Sequence, residues 1–255
     1  MAVAFGAAAG CLPEGTGPVD PASNAIYDVA RDAFGRGQLR EALAKVDQAL
    51  EMDESNADAA YLGVIILLDF CARDADSSDC HFESAEKYAR RAVRAKPEMR
   101  DAANALGVIL IHEKRYDDAI AVLKPLTEDI LYASPEKSWG NLGWAYLEKG
   151  EPALAVDALR RAVAAQPNFC VGSYRLGLAY ETAGQLEAAD AALNRAVTTQ
   201  RPGCDRMQEA FDALARVRIK TGKSEEARAD LTKCRDIARG SVLGQRCEAT
   251  MKTLQ

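Results

Sequence analysis

Small and apolar residues recur along this chain at helical spacing, in paired segments separated by short polar turns. The clearest pair places Gly143, Ala155 and Ala162 twelve and then seven positions apart. The same spacing returns at Gly177, Ala189 and Ala196, and one step earlier at Gly107, Ala119 and Leu126. Leu-Gly dipeptides mark each copy, at Leu106-Gly107, Leu142-Gly143 and Leu176-Gly177, and Gly143 lies 34 residues before Gly177. Apolar positions spaced three and four apart predict amphipathic helices. Two such helices per period of this length form a unit that cannot bury its own apolar face, so neighbouring units must stack.

With Trp139, Tyr146 and Pro167 around the central copy, the pattern resembles the tetratricopeptide repeat (TPR). That resemblance implies an all-α fold, a right-handed superhelical TPR solenoid of about six helix-turn-helix repeats with a C-terminal capping helix. The repeats read as 23–56, 57–99, 100–133, 136–169, 170–203 and 208–240, with the cap at 241–254, in a single domain over 23–255. Gly35-Arg36-Gly37 supplies the first turn, and Ala42 and Ala49 hold its second helix. The second repeat has a lengthened turn between Cys71 and Phe82, after which Ala85, Ala92 and Pro97 restore the pattern. Pro125 falls inside the second helix of the third repeat, where its missing N–H predicts a bend or an end to that helix. The sixth repeat is degenerate, with Leu214-Ala215 in place of Leu-Gly and about four extra residues entering around Cys204.

Composition agrees with close helix packing: 48% of residues are hydrophobic but only 6% aromatic. A net charge of -6 gives no electrostatic footprint for nucleic acid, and none is expected as a partner. No apolar run approaches the roughly 20 residues that a membrane-spanning helix needs. Seven cysteines change the picture. Ala8-Ala9-Gly10 immediately before Cys11 looks like a bacterial lipobox, in which Cys11 would carry the lipid. The segment lacks a basic n-region, so the chain is expected to begin at an internal Met of a longer signal peptide; residues 1–22 then form a signal remnant and a tether. The alternative is an Ala-rich leader. Cys71, Cys80, Cys170, Cys204, Cys234 and Cys247 remain, enough for three disulfides in an oxidising compartment. Cys71 and Cys80 bracket a polar insertion and are the favoured pair. Cys170 with Cys204 is within reach, and Cys234 could clip Cys247 on the terminal helix. Free buried thiols are the alternative. A zinc site from Cys71, Cys80 and His81 lacks a fourth ligand, so no metal is expected.

No sequence pattern for a catalytic serine, a metalloprotease, a phosphate loop or an EF-hand occurs, so neither enzyme activity nor a cofactor is expected. The informative surface is the one lined by the first helix of each repeat. It carries Tyr61, Val64 and Leu67, then Asn104, Val108 and Ile111, then Asn141, Trp144 and Leu147, then Tyr174 and Leu178. A continuous exposed apolar stripe is uncommon without a partner. These residues are therefore expected to form a groove for an amphipathic segment, with the two asparagines available to its backbone. The alternative is that these helices pack more deeply, or against the tether.

The third and fourth repeats carry a closer resemblance. Glu113-Lys114-Arg115-Tyr116, Asp129-Ile130-Leu131-Tyr132-Ala133 and Ser138-Trp139-Gly140-Asn141-Leu142-Gly143 resemble the turn, connection and following helix of the type IV pilus biogenesis lipoproteins, the six-repeat secretin pilotins. The resemblance is strongest over 99–165, and the cysteines have no counterpart in it. It implies a non-enzymatic, lipid-anchored protein on the periplasmic face of the bacterial outer membrane. Such a protein binds the type IV pilus secretin and promotes its delivery and multimer assembly. A generic TPR scaffold, or another envelope-assembly lipoprotein with a different partner, would use the same solenoid.

Overall fold

A computed structural model describes residues 18–74 and 77–254. Cys11 and most of the expected tether lie outside the described residues. Every regular element among those described is helical. In chain order they are α1 (Pro21–Gly35), α2 (Leu39–Met52), α3 (Ala57–Arg73), α4 (Phe82–Ala95), α5 (Arg100–His112), α6 (Tyr116–Glu128) and α7 (Pro135–Lys149). There follow α8 (Pro152–Ala165), α9 (Cys170–Thr182), α10 (Leu186–Thr198), α11 (Gln208–Lys220), α12 (Ser224–Ile237) and α13 (Val242–Thr253). One 3-10 turn, Cys204–Arg206, takes up the extra residues before α11. The fold class is all-α, built from successive helix hairpins.

The chain forms two compact units, one ending at Ala105 and the other beginning at Leu106. In the first, α3 packs on α1, α2 and α4. Three neighbours explain why α3 is apolar on nearly every side (Tyr61 to Leu68): a helix hydrophobic all round must be covered all round. A buried polar chain ties this unit together. The Ser23 hydroxyl donates to the Ala49 carbonyl at 2.8 Å, the Asn56 amide donates to Ser23 Oγ at 2.9 Å, and Asn56 Oδ1 caps α3 through the Ala59 N–H at 2.9 Å. Each buried donor thus has an acceptor, which avoids the cost of an unpaired polar group.

In the second unit each hairpin packs on the next, and the first helices also touch one another, α7 on α9 and α9 on α11, with α13 beside α11. The Leu-Gly dipeptides explain the tight hairpins. A Cβ on Gly107 would lie 2.4 Å from Leu123 Cγ, one on Gly143 2.5 Å from Leu159 Cγ, and one on Gly177 2.4 Å from Leu193 Cγ. The three leucines and Ala119, Ala155 and Ala189 opposite are fully buried. Glycine on the first helix therefore admits a leucine from the second. Four hairpin turns use glycine at positive φ, at Gly37, Gly150, Gly184 and Gly222. The third has Lys114 instead, at φ 61°, the one described non-glycine residue in that region. A left-handed conformation there costs an L-residue about 1–2 kcal/mol.

The helix end expected at Pro125 is not seen, whereas the three expected disulfides are. Pro125 does not end α6, which runs on to Glu128; proline removes one N–H donor, and buried Leu123 and Leu126 on either side hold the last turn in place. The cysteines form three disulfides: Cys71–Cys80, Cys170–Cys204 and Cys234–Cys247. They close loops of 9, 34 and 13 residues, for which loop-closure entropy contributes about 3–4 kcal/mol each.

The glycine contact gives a signed prediction. Glycine to alanine in a helix interior ordinarily stabilises by about 1 kcal/mol. At Gly143 the new methyl would strike Leu159 and come 3.2 Å from the Ala155 carbonyl oxygen, and overpacking of this kind costs about 1–3 kcal/mol. Gly143→Ala is expected to lower the urea unfolding midpoint; an unchanged or raised midpoint would show that the hairpin spacing does not depend on the missing Cβ.

Candidate functional site

The expected groove residues divide between the two units. In the first, Val64 and Leu67 are only 0% and 2% exposed, enclosed by the neighbours of α3, and Asn104 is buried. Tyr61 is half-buried against the core of that unit. In the second, Ile111 is 3% exposed. It ends the run Val108-Ile109-Leu110-Ile111, and four successive apolar residues reach round most of a helix, so they are covered only if the helix is enclosed. Val108, Trp144, Leu147, Tyr174 and Leu178 are half-buried. Leu147 packs on one core cluster, and Tyr174 and Leu178 pack on another. The expected open apolar stripe is therefore corrected: most of those side chains belong to the packing between helices.

What the first helices of the second unit bring together is a polar and aromatic row. Asn141, Trp144 and Glu148 lie three and four residues apart on α7 and so share a face. Trp144 donates its indole N–H to Glu148 Oε1 at 3.1 Å. The His112 ring at the end of α5 meets the Trp144 ring edge-on, centroids 5.1 Å apart at 80°. From α9, Arg175 lays its guanidinium over the indole, 4.2 Å from the ring centroid, and donates to Asn141 Oδ1 at 2.9 Å. A half-desolvated cation over tryptophan is worth about 1–2 kcal/mol. Burial pushes the Arg175 guanidinium down to about 10, still charged at neutral pH. Burial likewise lowers the pKa of His112, Arg175 lowers it further, and Glu148 acts in the opposite sense. His112 is accordingly neutral at pH 7.

The row continues along α9, α11 and α13. Arg216 donates to both carboxylate oxygens of Glu181 at 2.8 Å, and Lys220 donates to Glu181 Oε1 at 2.8 Å. Arg216 also reaches Asp212 at 3.2 Å, and Arg246 on α13 donates to the same carboxylate at 2.7 Å. Burial opposes the Glu181 charge, but Arg216 and Lys220 outweigh it and hold the carboxyl below its ordinary range. Beside them lies a cleft of 440 Å³ lined by Asp212, Arg216, Ile219, Lys220, Arg246 and Thr250 among others. Opposite charges thus face one another from helix to helix along the row.

Arg175, Glu148, Glu181 and Arg216 do not stand among the expected site residues, yet the sequence carries a signal for them. Asn141 and Arg175 are 34 residues apart, and Glu181 and Arg216 are 35 apart, so polar partners one repeat apart meet across neighbouring first helices. Ile130 and Leu131, in the connection after α6, are 95% and 72% exposed. Among the described residues the one cluster with metal-ligand composition is Asp212, Cys234 and Cys247. Both sulfurs are held in a disulfide there, which leaves a single carboxylate. The same applies to Cys71 and Cys80 beside His81.

The tetratricopeptide repeat family model matches residues 27–68, 81–127, 131–169 and 141–204, together more than half of the chain. The chain is 30% identical over 145 residues to the type IV pilus assembly protein PilF of Pseudomonas aeruginosa, a match covering 53% of this chain and 54% of that protein. The match spans about half the length of that curated relative. Among solved structures it is similar to PilW, a widely conserved type IV pilus biogenesis factor, with TM-score 0.72, 21% identity, and coverage of 89% of this chain and 98% of that one. It is also similar to the structure of Pseudomonas aeruginosa PilF, with TM-score 0.67, 18% identity, and coverage of 90% and 97%. At those identities the two structures speak for the fold.

The electrostatics of His112 are directly testable, because the chain has only two histidines. Its folded pKa is lowered while the unfolded value is ordinary, so the unfolded chain binds more protons between the two. This group's contribution to stability is fully present above about 6.5 and is lost as the pH falls through that window. Proton NMR should place the His112 midpoint below that of an unperturbed histidine, and Arg175→Met should move it upward. A midpoint that ignores Arg175→Met would contradict the arrangement.

Proposed function

This chain belongs to the tetratricopeptide repeat family, and on that premise we propose that it is a pilotin of type IV pilus biogenesis, a scaffold that binds the pilus secretin. The observation that carries the reading is the row on the first helices, where Trp144, Arg175 and Asn141 lie together beside the His112 ring. An aromatic face with adjacent donors and acceptors is the composition of a protein-binding hot spot, in which tryptophan and arginine are enriched. The likeness to PilF supports the pilus assignment; its 30% identity spans 145 residues, which is the part of the chain to which the inference applies. No chemistry beyond binding is required of the site.

The rest of the role follows the same reading. Three disulfides suit an oxidising compartment such as the periplasm, which favours an envelope protein over a cytoplasmic scaffold. None of the described helices is long and apolar enough to cross a membrane. Attachment to the outer membrane would therefore come from a lipid on Cys11, which lies outside the described residues. Acyl chains anchor by burying methylenes at about 0.8 kcal/mol each. The secretin segment would lie along α7 and α9, exchanging some of its own side chains for contacts with the indole and the guanidinium.

The test is genetic. In a strain lacking this gene, heat-resistant secretin multimers should disappear from outer-membrane fractions while secretin monomer persists. Trp144→Ala should fail to restore them although its helical circular dichroism matches the parent, and a conservative Trp144→Phe should restore them in part. Unchanged multimers in the deletion strain would refute the pilotin role.

A further inference from the structure

A second cleft lies in the second unit, away from the Trp144–Arg175 row. α8, α9 and α10 enclose a cleft of 510 Å³. Its walls include Val163 from α8, Leu176 and Tyr180 from α9, and Ala191 from α10. Arg160 and Arg195 line it from α8 and α10, both exposed. Neither guanidinium has a carboxylate partner among the described residues, unlike Arg161 nearby, which pairs with Asp157. Two unpaired cations bordering an apolar cleft form a place for an anionic group attached to an apolar one.

The third feature is Ser173. It lines the same cleft and is 1% exposed, yet its Oγ has no hydrogen-bond partner. Hydroxyls on these helices normally donate to the carbonyl one turn back, as Thr182 does to Leu178 and Thr198 to Asn194. Ser173 makes no such bond. A buried hydroxyl left unpaired costs free energy comparable to a lost hydrogen bond, and a ligand acceptor at this point would remove the cost. This feature also separates two kinds of occupant. A hydrocarbon chain in the cleft would leave the hydroxyl dry and still unpaired. A polypeptide brings a carbonyl acceptor at every residue.

We propose that the cleft between α8 and α10 binds an extended acidic and apolar peptide segment. Its apolar side chains lie against Val163, Leu176 and Tyr180, a carboxylate sits between Arg160 and Arg195, and a main-chain carbonyl accepts from Ser173 Oγ. The site shares no residue with the Trp144–Arg175 row and does not rest on the secretin reading, so either can fail alone. It would give the protein a second peptide contact.

The purified protein can be titrated into a fluorescein-labelled peptide of alternating leucine and glutamate and followed by anisotropy. Arg160→Gln with Arg195→Gln should weaken binding by more than about tenfold, as expected for the loss of charge-assisted contacts. Ser173→Ala should weaken it by about fivefold, the loss of one hydrogen bond, with unchanged helical circular dichroism. The two arginines are exposed, so that double variant remains informative even if Ser173→Ala disturbs the helix. The proposal is overturned if the peptide does not bind, or if both variants bind it as the parent does. It is equally overturned if phosphatidylglycerol vesicles or inorganic phosphate displace the peptide through the same arginines, because the site would then recognise a phosphate headgroup.

Discussion

In three hairpins of the second unit a leucine of one helix lies where a glycine of its partner has no side chain. Gly107 with Leu123, Gly143 with Leu159 and Gly177 with Leu193 repeat one contact three times. Because the contact fixes the distance and rotation of the two helices, it also fixes which residues of the first helix turn away from the second. Those residues recur one repeat later on the neighbouring first helix. The meeting of Arg175 with Asn141 and of Arg216 with Glu181 is thus a consequence of hairpin packing carried through the stack.

The disulfides stand where the repeat departs from its regular form. Cys71–Cys80 closes the lengthened turn of the second hairpin. Cys170–Cys204 links the start of α9 to the 3-10 turn that absorbs the extra residues before α11. Cys234–Cys247 fastens α13 to α12. Beside the hairpin that lacks Gly-on-Leu packing, with Leu214-Ala215, the last of these bonds ties the second helix to α13. Such links belong to an oxidising compartment, so the way the fold is completed bears on where the protein works.

Helix pairs, turns and the small-residue contacts were legible in the sequence because they follow from a single period and from residues with one dominant physical use. Glycine next to buried leucine, and glycine at positive φ in a turn, allow few alternatives. The binding surface was less legible. Apolar residues such as Val64, Leu67 and Ile111 fit either a groove or a core, and the number of neighbouring helices, which local periodicity does not encode, sends them to the core. Arg175 was missed for the complementary reason: a lone arginine in a helix reads as a solvated charge until the tryptophan and asparagine one repeat earlier are placed against it. The Pro125 position shows the same limit, since the apolar contacts around it outweigh the lost hydrogen bond.

In the proposed role, the first-helix surface around Trp144 receives the secretin. Site-specific photo-crosslinking in living cells tests it most directly, with a photoreactive phenylalanine analogue placed at Trp144 or at Leu154, an exposed position on α8. A secretin adduct is expected from position 144 and none from position 154. Secretin adducts from position 154 alone, or a secretin that still multimerises through this protein while position 144 captures nothing, would contradict it.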